Sequence, residues 1–141
     1  MEGEADGAVV AVKWPRHPWS VGRAREGLRK VLAGWELSGA EDAALLVLSE
    51  LVSNAVLHGV VPKGQEVETR YVRMPRGVRI EVYDTAPELP QQLPPPGGDA
   101  YSGRGLFLVA AIADRWDVAE RTGSGKVVWA EVSAPGSGAE A

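Results

Sequence analysis

Glu50, Asn54 and His58 stand four residues apart among apolar positions that include Leu48, Leu51, Val52 and Val56. On a helix this spacing places all three on one face, a polar stripe beside an apolar one. Each of the three, taken singly, reads equally well as a solvated residue. Taken together, a carboxylate and an amide one turn apart on a rigid helix can divide the handling of a nucleotide. Asn54 offers a neutral carbonyl oxygen, a hard ligand suited to magnesium, which keeps several waters and takes further oxygens from phosphates. Glu50 can hold a water or hydroxyl and act as its base.

Two further groups follow in the chain. Asp84 ends the apolar run Val78 to Tyr83, just before Thr85-Ala86-Pro87. A carboxylate there can accept a hydrogen bond from an exocyclic amine such as that of adenine. Alone, it reads more simply as a turn-forming aspartate. Gly103-Arg104-Gly105 precedes an apolar, alanine-rich run, Leu106 to Asp114. Small residues at a helix N-terminus let a phosphate approach the backbone amides, although a lone Gly-x-Gly also serves as a plain entry into a helix.

The elements that must position these groups are legible as periodicity. Ala8 to Trp14 is β-branched enough for a strand, ended by Pro15 and Pro18, and Ser20 offers an N-cap. Val21, Ala24, Leu28, Val31 and Leu32 repeat at helical spacing. Ser38-Gly39-Ala40-Glu41 resembles a capping box opening the helix that carries the stripe, which stops at Gly59. Val67 to Met74 and Val78 to Tyr83 flank Pro75-Arg76-Gly77 as a hairpin. Ala86 to Gly105 is a long loop rich in proline and glycine, of lid length. After the third helix, Trp116 to Arg121 and Val127 to Val132 form a second hairpin around Thr122 to Gly125. The expected fold is a two-layer α/β sandwich, a mixed and largely antiparallel sheet covered on one face by three helices. Residues 1–7 and 135–141 are expected to fray, leaving one domain over 8–134. The five tryptophans fall at strand and helix ends, where large rings close a core or, for one or two, mark a partner surface.

Composition narrows the function classes. A chain of 141 residues buries roughly 68–70% of its unfolded surface. One real core is therefore available. The net charge of -4 argues against direct binding of nucleic acid. The absence of cysteine excludes disulfides, thiolate metal sites and cysteine nucleophiles, and suits a reducing cytosol. The apolar run Ala8 to Val12 is too short for a signal peptide or a membrane span, so a cytoplasmic protein is expected.

The order Glu50-Leu51-Val52-Ser53-Asn54-Ala55-Val56-Leu57-His58-Gly59, then Asp84-Thr85-Ala86-Pro87, then Ser102-Gly103-Arg104-Gly105-Leu106 resembles the ATP-binding fold shared by histidine kinases, the Hsp90 chaperone, DNA gyrase and MutL. The helix motif is most similar to the anti-sigma-factor serine kinases of bacteria. That resemblance, which runs from Trp14 to Val132, implies ATP and magnesium as cofactors, with Asn54 on the metal and Glu50 as general base. It further implies that Asp84 reads the adenine amine and that His58 borders the nucleotide pocket. Gly103, Arg104 and Gly105 would contact the phosphates, Leu106 would belong to the same nucleotide-binding stretch, and Gln91 to Tyr101 would close as a lid. Ala86 stands where the family carries glycine, and Val127, after Gly125-Lys126, where it carries a hydroxyl near the adenine. Ala86 and Lys126 would still border the nucleotide. The implied partners are a sigma factor and an anti-anti-sigma protein whose serine is phosphorylated, with a homodimer as the expected assembly. The alternative is a catalytically inactive module of the same fold that only binds a regulatory partner.

Overall fold

The computed structural model describes residues 7–57, 66–84, 107–120 and 126–134. Strand β1 (Val9–Pro15) leads into helix α1 (Trp19–Gly34). A single 3₁₀ turn (Ser38–Ala40) precedes helix α2 (Glu41–Leu57). Strands β2 (Glu66–Met74) and β3 (Gly77–Asp84) follow, then helix α3 over 107–112 and strands β4 (Arg115–Glu120) and β5 (Lys126–Ser133). The sheet order is β1-β2-β3-β5-β4, and every described pairing is antiparallel. The sheet carries its helices on one face, as the periodicity implies. Among the described residues no helix is long and apolar enough to cross a membrane.

Alternation along the strands separates two faces. Val67, Thr69 and Tyr71 of β2, Val78, Ile80 and Val82 of β3, and Ala130 and Val132 of β5 are buried toward the helices. The intervening positions carry charge. Arg79 pairs with Glu81 at 2.8 Å and Glu131 at 3.1 Å, Arg70 pairs with Glu68 at 2.8 Å, and Arg79 lies 4.0 Å over the Trp129 ring. Such a face needs no second helical layer. Trp129 therefore packs on the outer face beneath an arginine, and Trp19 is 45% exposed with Arg23 over its ring. Trp14, Trp35 and Trp116 are the tryptophans packed against the core.

On the helix side, α1 buries Ala24, Leu28 and Leu32 at intervals of four, and α2 buries Leu45, Leu48, Leu51, Val52 and Val56. Each fully buried Val or Leu side chain contributes about 1.5–3 kcal/mol, so this layer dominates the stability of the site's scaffold. Arg25 of α1 donates to Ser49 Oγ of α2 at 2.7 Å, tying the helices on their polar side.

Two expected caps are absent. Ser20 does not cap α1, which begins at Trp19 after Pro18; Ser20 is buried and its Oγ donates to the Pro15 carbonyl at 2.7 Å. Ser38 lies inside the 3₁₀ turn, which no side chain caps, and Glu41 and Asp42 supply the favourable charge in the first turn of α2. At its other end α1 closes with Leu37 N–H donating to Leu32 O at 2.8 Å and Glu36 N–H to Ala33 O at 3.1 Å. Glu36 takes the left-handed conformation, φ 61°, that this closure requires. The β2–β3 turn spans Pro75 and Arg76, and Gly77 is demanded by contact: a Cβ there would lie 2.0 Å from the Val132 carbonyl oxygen.

Candidate functional site

Glu50 and Asn54 are both half-buried on α2, one turn apart, while their neighbours Leu51 and Val52 are in the core. The helix is fixed by its apolar residues, so the two polar side chains sit on a rigid support at the margin of the core. The expected stripe is thus present for these two members. His58 lies outside the described residues, as do Ala86, Gly103, Arg104, Gly105, Leu106 and the lid Gln91 to Tyr101.

Asp84 ends β3, the central strand of the sheet, between Val67 of β2 and Lys126 of β5. It shares strand alternation with Val78, Ile80 and Val82, which places it toward the helices. Lys126 is the β5 residue in register with it. Val127 is opposite Tyr83 and alternates with Trp129 and Glu131 on the outer face. A hydroxyl at Val127 would therefore point away from the helix layer, so its absence does not remove a group from the Asp84 side of the sheet.

The residue that joins the two motifs is Arg16, which the sequence presents only as a loop residue between two prolines. Its guanidinium donates through Nη1 to the carbonyl of Ala55 and through Nη2 to Asp84 Oδ1 at 2.5 Å. Ala55 immediately follows Asn54 and lies in the last described turn of α2, toward the C-terminal end of the helix, where the dipole favours a cation. One side chain thus fastens the β1–α1 joint, the end of the Asn54 helix and the end of the Asp84 strand. Arg16 and Asp84 side chains are only 6% and 14% exposed. Among the described residues Arg16 Nε has no hydrogen-bond partner. The only sequence signal for this role is an arginine held by Pro15 and Pro18 directly beyond a strand.

Chemically, the arrangement offers a carboxylate (Glu50) and an amide oxygen (Asn54) on one helix, and a second carboxylate (Asp84) at the sheet end. Among the described residues no group of three or more His, Cys, Asp or Glu is placed to cage a metal ion. Magnesium bound to a nucleotide needs only one or two protein oxygens beside the phosphates, so this donor set fits a nucleotide-borne ion.

Comparison with curated proteins gave no match. A family model described as the histidine kinase-like ATPase domain matches residues 15–132, from the end of β1 to β5, and so spans both α2, which carries Glu50 and Asn54, and β3, which ends at Asp84. The five-stranded antiparallel sheet with its helices on one face agrees with that match, and the chain belongs to the histidine kinase-like ATPase domain family.

Proposed function

We propose that the chain binds ATP with magnesium between the end of α2 and the end of β3, and acts as a serine-kinase anti-sigma factor. It transfers a phosphoryl group to a serine of an anti-anti-sigma partner, sequesters a sigma factor with the same region, or does both. The observation that carries this reading is the pairing of Glu50 and Asn54, half-buried one turn apart on a core-anchored helix whose last turn is fastened to Asp84 through Arg16.

Bound ATP supplies the phosphoryl group, and magnesium balances charge on its phosphates. Asn54 provides an oxygen for that ion, and Asp84 accepts from the exocyclic amine of the base. Glu50 holds the incoming serine hydroxyl and takes its proton as the new oxygen–phosphorus bond forms and ADP leaves. The homodimer implied by the family resemblance belongs to the same proposal.

The test is incubation of the purified protein with γ-labelled ATP, magnesium and a panel of anti-anti-sigma domains. Label on a serine of one panel member is the expected result. Nucleotide binding without transfer to any of them would leave a nucleotide-regulated binding module, and capture of a sigma factor would then define its activity.

A further inference from the structure

We propose that Arg16 is a positioning residue of the nucleotide site, holding the Asp84 carboxylate in the orientation that discriminates a 6-aminopurine from bases without the amine. The inference rests on the reading that Asp84 faces the base. Its observation is independent of the motifs: a guanidinium 6% exposed, delivered from the β1–α1 joint, that binds Asp84 Oδ1 at 2.5 Å and the carbonyl beside Asn54 at the same time.

A near-buried ion pair is a poor device for stability, because the desolvation of both charges offsets most of their attraction, and an apolar pair of similar volume would serve the core as well. What the pair does provide is a fixed direction. A guanidinium is planar, and its two used nitrogens are set by one rigid group, so fastening Nη1 to the helix end leaves Nη2 little freedom in where it meets the carboxylate. The position of Asp84 is thereby referred to α2, the helix that carries Asn54 and Glu50. The part of the site assigned to the base and the part assigned to the metal are set by one side chain.

The bond from Arg16 does not compete with a base. An ionised carboxylate has about four acceptor positions, so one oxygen can accept from Arg16 while the group also accepts from an exocyclic amine. Pro15 and Pro18 restrict the backbone on either side of Arg16, and Ser20 Oγ and His17 N–H both donate to the Pro15 carbonyl, at 2.7 and 2.8 Å. The arm that carries the guanidinium is therefore itself held.

The experiment is calorimetric titration of the intact protein with ATP and with purine riboside triphosphate, which lacks the exocyclic amine. Wild type, Arg16→Gln and Arg16→Lys are compared, with thermal melts to confirm folding. A hydrogen bond to a charged group corresponds to about tenfold to a hundredfold in affinity, so wild type should prefer ATP by about that factor. Arg16→Gln should bring the preference close to unity, with ATP losing more affinity than the analogue, because only ATP makes the amine contact that Asp84 accepts. Arg16→Lys, whose single ammonium cannot fork between Ala55 and Asp84, should fall between them, and it carries the test if the Gln variant does not fold. An unaltered preference in a folded Arg16 variant, or ATP binding that tightens, would overturn the positioning role alone. A wild type that binds both nucleotides equally would refute the reading of Asp84, and a wild type that binds neither would refute the ATP site altogether.

Discussion

Tyr71→Phe should stabilise the protein although it removes a polar atom from the middle of the sheet. Tyr71 is 1% exposed, faces Val10 and Ile80 across its neighbouring strands, and its hydroxyl has no hydrogen-bond partner among the described residues. Thr69, two residues away on the same face, instead accepts from Trp14 Nε1 at 3.0 Å. A buried hydroxyl without a partner costs about 1–3 kcal/mol, so phenylalanine, with the same ring, should gain at least about 1 kcal/mol at neutral pH. Burial also pushes the Tyr71 hydroxyl up to about 12 from 10.0. Nearby Thr69 opposes that rise only in part, and the two hydroxyls do not meet in hydrogen-bond geometry. The unfolded chain therefore loses this proton near pH 10.0 while the folded chain keeps it to about 12, so between those values the folded state binds more protons and its stability falls as pH rises. At about 1.4 kcal/mol per pKa unit the interval corresponds to roughly 3 kcal/mol, fully present below the lower value and lost above the upper one. Urea denaturation of both proteins, near neutral pH and at several alkaline values, measures the gap. It should be about 1 kcal/mol near neutrality and widen through the alkaline range by up to roughly 3 kcal/mol. A phenylalanine variant that is less stable at neutral pH, with a gap that stays flat, would refute the unpartnered hydroxyl.

Two other outcomes follow from packing and from the site. Gly77→Ala places a methyl 2.0 Å from the Val132 carbonyl oxygen and 2.8 Å from Ser133 Cα, both backbone atoms that cannot swing aside. Overpacking of this kind costs about 1–3 kcal/mol, so a lower melting temperature is expected and an unchanged one would show that the β3–β5 register is different. Glu50→Gln keeps the shape of the side chain but removes the base, so phosphoryl transfer should fall by about a hundredfold or more while nucleotide affinity holds. Transfer at the wild-type rate would assign the proton to another group.

The helices and strands were readable because their apolar residues carry the period of the surface they cover: Ala24, Leu28 and Leu32 on α1, and Val78, Ile80 and Val82 on β3. The pair Glu50 and Asn54 was readable for the same reason, since a polar stripe stands out against an apolar helix. Element ends were less so. Ser20 has the right residue type for a cap, but a buried serine one residue inside a helix can satisfy its hydroxyl on the preceding strand, and only the fold reveals the Pro15 carbonyl above it. Glu36 carries a left-handed conformation that residue type would assign to Gly34. Arg16 was illegible for a deeper reason. Its partners are 39 and 68 residues away, and no local period encodes a contact of that range. The same holds for the sidedness of Val127, which depends on a register with Tyr83 that pairing, not composition, decides.

Calorimetric titration with ATP, in the presence and absence of magnesium, on wild type and Asn54→Ala, tests the nucleotide site most directly. Binding that weakens by about tenfold or more when either magnesium or the Asn54 amide is removed is the expected result, because both losses break the same oxygen–metal contact. ATP binding indifferent to Asn54 and to magnesium, or no binding at all, would contradict the assignment of α2 as the metal-bearing helix of an ATP site.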